Sequence, residues 1–259
     1  MIINTGCRTD IPAFYSKWFI NRIREGYVLV RNPYYPSQIT KYLLNPEVVD
    51  CIEFCTKNPE PILKYLDELD KFKQDWFVTI TPYGKEIEPN VPDKEKVIES
   101  FKKLSDYFKR NYVGWRYDPI FINNEFDIDR HIQEKENDIT IYSCCEKTHL
   151  EKYGVNCSGC KSQSMIEDVV GHKLKPPKKK NIREDCNCLM GTDIGAYNTC
   201  GHLCTYCYAN ENKVAVKQNM KEHIETSPLL IGEITDNDKI TEAKQKSWII
   251  SENNQITFI

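Results

Sequence analysis

The chain has 259 residues, ample for a buried core, with 40% hydrophobic, 28% charged and 11% aromatic residues, which is globular composition and excludes a disordered polymer. A net charge of −3, from 35 basic and 38 acidic residues, supplies no general attraction to nucleic acid. No apolar run is long enough to span a membrane and the start lacks a secretory pattern. A cytoplasmic location is therefore expected, where the 12 cysteines stay reduced and point to metal or redox chemistry.

In chain order, the first half alternates short apolar runs with helical patterns, the mark of βα units and a largely parallel sheet. A strand is predicted over Val48 to Phe54, then a helix from about Pro61 to Leu69 with Ile62, Leu63, Leu66 and Leu69 on one face. A second strand, Trp76 to Thr81, precedes a helix from about Asp93 to Arg110, with Asp93 as N-cap and Val97, Phe101, Leu104 and Phe108 inward. Tyr112 to Tyr117 and Ile139 to Ser143 supply two more strands, the last followed by a short helix near Glu146 to Tyr153. Strands that each precede a helix gather their C-terminal ends on one face, where barrels of this kind do chemistry. Lys57, Arg116 and Asp118 stand in those loops as candidate catalytic groups, with Arg8 as a further polar candidate. Lys173 to Lys180 is a basic, proline-broken linker, and the last 45 or so residues are polar and helix-tending. The expected division is residues 1–171 as a partial α/β barrel, 172–210 as linker and cysteine-rich segment, and 211–259 as a tail packing on the barrel.

The cysteines are concentrated late: four lie between Cys144 and Cys160 and five between Cys186 and Cys207. Cys200, Cys204 and Cys207 form C-x3-C-x2-C with Tyr206 just before the last thiol. Three thiolates on one tight loop can hold three irons of a cubane cluster and leave the fourth open. A closed zinc tetrahedron would more often use two C-x2-C knuckles.

This motif resembles the radical S-adenosylmethionine superfamily. The segment Tyr197 to Asn210 is similar to its spore photoproduct lyase-like branch. The chain also resembles a bacterial family of unknown function with its radical-SAM-like cysteines near the C-terminal end. That likeness is carried by Thr5 to Pro33, Val49 to Pro59, Thr79 to Pro92, Trp115 to Pro119, Cys186-Asn-Cys188 and Ser227 to Leu230. The resemblance implies a 4Fe-4S cluster on Cys200, Cys204 and Cys207, with S-adenosyl-L-methionine on the open iron. It further implies a 5′-deoxyadenosyl radical that abstracts hydrogen from a substrate, and a reductant such as flavodoxin or ferredoxin. Tyr206, Tyr208 and Asn210 become candidate cofactor-binding residues, with Tyr206 beside adenine. A nucleic-acid lesion substrate is implied only by similarity to the photolyase-like branch.

The cysteine loop follows the strands here, whereas it follows the first strand in most of the superfamily, so a circularly permuted barrel is expected. That arrangement requires the loop to lie beside Thr56, Thr81 and Arg116. Relatives carry one more strand–helix unit where this chain runs from His131-Ile132 to Ile139, so the barrel is expected to be one unit short. Cys144, Cys160, Cys186 and Cys188 also match the family. They are candidates for a second metal, as a zinc tetrahedron or an auxiliary cluster. Two other readings stay open: Cys186 or Cys188 as fourth ligand to the loop cluster, or plain buried thiols. A non-enzymatic iron–sulfur or zinc protein is the alternative to the enzyme.

Overall fold

The computed structural model describes residues 1–108, 113–120, 141–143, 152, 154–156, 161–178, 186 and 188–250. Cys144 and Cys160 lie outside these residues, as does most of the helix expected near Glu146 to Tyr153.

Six short strands form one parallel sheet: β1 (Ile2–Asn4), β4 (Cys51–Thr56), β5 (Gln74–Thr79), β6 (Val113–Arg116), β7 (Ile141–Tyr142) and β8 (Thr192–Asp193). Their spatial order is β7-β6-β5-β4-β1-β8. Every pairing is parallel, which requires crossover connections and covered faces. A smaller sheet joins the antiparallel pair β2 (Tyr27–Arg31) and β3 (Gln38–Leu43) to β9 (Lys239–Glu242), which runs parallel to β3. The helix-tending tail is thus corrected. It forms α7 (Lys213–Glu222) and then an extended stretch with β9, because the backbone of 239–242 takes its partners from the edge of β3.

Strand alternation decides which side chains meet which layer. Ile3, Ile52, Phe54, Trp76 and Val78 share one face and are buried. Phe19 of α2 (Ser16–Glu25) meets Phe54 edge-on at 5.8 Å, and Phe54 stacks on Trp76 at 3.9 Å. Helix α5 (Lys94–Tyr107) covers the same side with Val97, Phe101 and Leu104 buried, as their spacing predicts. Asp93 occupies its N-cap position but accepts no capping hydrogen bond.

The helix expected over Pro61 to Leu69 is instead two single turns, α3 (Glu60–Leu63) and α4 (Leu66–Leu69). Tyr65, at φ −118°, separates them, and tight three-residue bonds replace the α-helical ladder there (Tyr65 N to Ile62 O, 2.9 Å; Glu68 N to Tyr65 O, 3.1 Å). Ile62, Leu66 and Leu69 are nevertheless buried, so the apolar pattern placed the segment correctly although the helix breaks.

The opposite sheet face carries a polar row flanked by buried Ile2 and Cys51 on one side and Cys55 and Phe77 on the other. Asn4 pairs laterally with Asp193 on one side and Glu53 on the other, and Glu53 pairs with Asp75. One row across four strands therefore reads Asp193, Asn4, Glu53, Asp75. Beside it, α6 (Gln163–Val170), capped by the Ser162 hydroxyl, buries Ile166, Val169 and Val170.

β1 and β4 approach closely enough that Gly6 has no room for a side chain, since a Cβ there would overlap the Cys55 carbonyl. Gly6→Ala is expected to destabilise the fold by roughly 1–3 kcal/mol, the usual scale of overpacking. A lower urea midpoint at unchanged denaturant slope is the measurement that checks it.

Candidate functional site

The C-terminal strand ends and the cysteine loop meet at one place. Asp10 caps α1 (Ile11–Phe14) by accepting from Ala13 N at 3.0 Å, and its other oxygen accepts from Lys57 N at 2.8 Å, just past β4. That oxygen also contacts His202 Nε2 at 3.0 Å, while His202 Nδ1 lies 3.4 Å from Asn90 O. Both ring nitrogens are thereby engaged, and His202, 2% exposed and edge-on to Phe14, is a strut for the loop.

The loop is held by further bonds along its length. Tyr15 OH donates to Thr199 O at 2.6 Å, and Asn90 Nδ2 donates to Gly201 O at 2.7 Å. Thr205 N donates to Ile87 O at 2.9 Å, and Asn198 N donates to Ala209 O at 2.8 Å, closing the loop on itself. Two left-handed residues, Asn198 (φ 54°) and Leu203 (φ 55°), bend it between these anchors. Asparagine adopts this conformation readily, whereas at Leu203 it is strained and persists because flanking bonds over-determine it.

Glu88 is the electrostatic hub beneath. At 1% exposure it accepts from Lys57 Nζ at 2.7 Å, Thr81 Oγ1 at 2.7 Å, Lys94 Nζ and Tyr206 OH. Burial by itself pushes the carboxyl up, but the charges of Lys57 and Lys94 and their hydrogen bonds outweigh it and hold the group at about 2. Lys57 also lies 5.7 Å from the Tyr206 ring centroid, and its charge acts on the Cys204 thiol.

Cys200, Cys204 and Cys207 feel one another's charge, so the three thiols occupy one neighbourhood. Burial raises the Cys204 thiol to about 11 and Cys200 higher still, so a bound cation is what would hold them as thiolates. Among the described residues, no three His, Cys, Asp or Glu side chains are gathered around a single point as a cage for one ion. A cubane makes a different demand, because each of its irons takes its own thiolate. Three thiols spread along one loop suit that demand.

The remaining candidates are placed as follows. Arg116 is ion-paired with Asp118, and its Nη1 donates to Cys55 Sγ at 3.4 Å. Arg8 is ion-paired with Asp193 and donates to its carbonyl at 2.8 Å. Tyr206 meets Glu88 through its hydroxyl and Tyr83 edge-on at 6.1 Å. Tyr208, 66% exposed, donates to Cys7 O at 2.7 Å, and Asn210 Nδ2 donates to Cys200 O at 2.7 Å. Cys186 and Cys188 share a packed cluster with Cys55 and Phe77, separate from the one that holds Cys204 and Cys207.

Sequence reasoning passed over Asp10, Glu88, Asn90 and Cys55. Cys55 could have been found from strand alternation, which puts Cys51, Glu53 and Cys55 on one face. Glu88 carried only a weak signal, one of two glutamates in a Pro/Gly-rich loop after a strand.

These elements define an α/β protein whose parallel sheet presents a three-cysteine loop at the C-terminal ends of its strands. The chain belongs to the family described as Domain of unknown function (DUF1848), whose model matches residues 2–137 and 132–209. Comparison with curated proteins and with solved structures returned no match. No helix among the described residues is long and apolar enough to cross a membrane.

Proposed function

We propose that the chain is a 4Fe-4S cluster-binding enzyme of the radical S-adenosylmethionine type, built on a partial, circularly permuted barrel. One observation carries this reading: the Cys200–Cys207 loop sits on Lys57, Thr81 and Glu88 at the strand ends, although it follows most of the strands in sequence. The strand order supports it. Counted from β8, which leads into the cysteine loop, the sheet runs β8-β1-β4-β5-β6-β7 in space, a regular succession whose chain start falls after the first strand.

Cys200, Cys204 and Cys207 would hold the cluster, and Tyr206, Tyr208 and Asn210 border it. When bound, the cluster and S-adenosylmethionine supply a 5′-deoxyadenosyl radical, with the electron arriving from a carrier of the flavodoxin or ferredoxin class. Asp10, His202 and Asn90 fix the loop against the sheet, and Glu88 ion-pairs with Lys57 and so directs it to the Cys204 side. Cys186 and Cys188 pack in a different apolar cluster from Cys204 and Cys207, which is in keeping with an open fourth iron.

A second reading, a non-enzymatic iron–sulfur protein, is favoured by the family match, whose two pieces meet at residues 132–137. That is where the sequence places a missing strand–helix unit. Anaerobic reconstitution with iron and sulfide, followed by paramagnetic resonance, separates the two. The expected result is a reduced-cluster spectrum that changes on adding S-adenosylmethionine, with 5′-deoxyadenosine formed under dithionite. A spectrum indifferent to S-adenosylmethionine with no 5′-deoxyadenosine rejects the enzyme and leaves the second reading.

A further inference from the structure

The polar sheet face carries a feature that neither the cysteine loop nor the core requires. Asp193, Asn4, Glu53 and Asp75 stand side by side on β8, β1, β4 and β5, so their side chains emerge on the same face as immediate lateral neighbours. Asn4, Glu53 and Asp75 are 1%, 0% and 4% exposed. Parallel-sheet interiors of this kind are ordinarily apolar. A buried polar row is costly unless something satisfies it.

Two cations reach into the row from outside the sheet. Arg8 is ion-paired with Asp193, and Lys161 Nζ lies 3.5 Å from Glu53 Oε2. Between them, Asn4 Oδ1 has no hydrogen-bond partner among the described residues, although the residue is almost fully enclosed. An unmatched amide oxygen in that position costs about 1–3 kcal/mol, so its retention calls for a partner that the described residues do not supply. Tyr208, next to Cys207, bonds to the Cys7 carbonyl, and the Cys7 thiol lies in the combined field of Asp193, Lys161, Glu53 and Cys55.

We propose that Asn4, with Asp193 and Glu53 on either side, receives the ammonium group of a small amine-bearing substrate. The partner of Asn4 Oδ1 must bring a hydrogen-bond donor. The carboxylates of Asp193 and Glu53, each ion-paired on one side, place further acceptor oxygens beside Asn4 Oδ1, so a head group rich in N–H donors suits the place and an anion, which brings none, does not. An ammonium carries three donors, enough for Asn4 and both neighbours. Arg8 and Lys161 hold the outer sides of Asp193 and Glu53, which leaves the ammonium head group to Asn4 between them. Calling this ligand the substrate rests on the reading above, whereas the amine site itself does not require the cluster.

The test uses three probes that differ only in head group: n-butylamine, n-butanol and butyrate. Each is titrated into the full-length chain at neutral pH under reducing conditions and followed by saturation-transfer NMR. Butylamine is expected to bind and the other two not. Asn4→Leu, shown to be folded by circular dichroism, should weaken butylamine at least tenfold. Asn4→Asp, close in size and with an added charge, should tighten it at least threefold. Equal binding of butanol or butyrate overturns the proposal, as does a folded Asn4→Leu within twofold of the parent, or an Asn4→Asp that binds no tighter. Iron content after reconstitution keeps the two readings apart. An Asn4→Leu variant that assembles cluster like the parent but loses butylamine supports the amine site. A parent chain that binds butylamine and assembles no cluster also supports it, while removing the radical reading.

Discussion

Under the proposed cluster-binding reading, Cys204→Ala is expected to abolish cluster assembly: after anaerobic reconstitution, bound iron and sulfide should fall at least tenfold and the reduced-cluster resonance should vanish. The reason is the donor arithmetic of the loop. Its three thiols share one neighbourhood, and Cys186 and Cys188 pack elsewhere, with Cys55 and Phe77. The fold should survive, because the loop's anchors are the backbone and side-chain bonds of Thr199, Gly201, His202 and Thr205. Unchanged circular dichroism with lost iron is therefore the expected pair of results. Iron retained at the parent level would remove Cys204 from the ligand set. Cys200→Ala and Cys207→Ala should behave alike, since two thiolates leave a cubane held at only half its corners.

Glu88→Ala has the largest expected effect on stability. It leaves Lys57 and Lys94, which are 13% and 29% exposed at the side chain, without their carboxylate. It also removes the acceptor of Thr81 and Tyr206. Breaking a buried ion pair on one side costs roughly 3–5 kcal/mol, which lowers the thermal midpoint by about 10 °C in a chain of this size. The pH dependence carries the same signature. Glu88 titrates at about 2 when folded, against an ordinary value of 4.5. A lowered folded-state value contributes stability that is fully present above about 4.5 and is lost as pH falls toward 2. The contribution is roughly 3 kcal/mol. Urea unfolding between those pH values should show a steep loss in the parent and a shallow one in Glu88→Gln. Parallel curves would show that the Glu88 charge is not what joins the loop to the sheet.

How much of this was legible beforehand varies by element. The strands at Cys51–Thr56, Gln74–Thr79 and Val113–Arg116 were each located to within about three residues, since short apolar runs between helical patterns are a local signal. β1 went unrecognised because three residues carry no period, and β9 because Lys239–Glu242 is wholly exposed with Ile240 its single apolar residue, so its strand character comes from β3. The break at Tyr65 was equally hidden, since the apolar spacing is the same whether α3 and α4 are joined or not.

Within the site, the thiol spacing of Cys200, Cys204 and Cys207 was plain, because three ligands on one loop are a local feature. Their surroundings were not. Asp10 and His202 are separated by 192 positions, and Glu88 and Tyr206 by 118. No periodicity connects residues so far apart. The chain's own sequence determined a parallel α/β architecture and a thiol-bearing loop, because hydrophobic period and ligand spacing act over a few residues. Tertiary structure alone decided that β8 joins the edge of β1, that the loop comes down on Lys57 and Glu88, and that Asp193, Asn4, Glu53 and Asp75 fall into one row. Those juxtapositions are set by strand register across the sheet, where a shift of one residue would turn every one of these side chains to the other face.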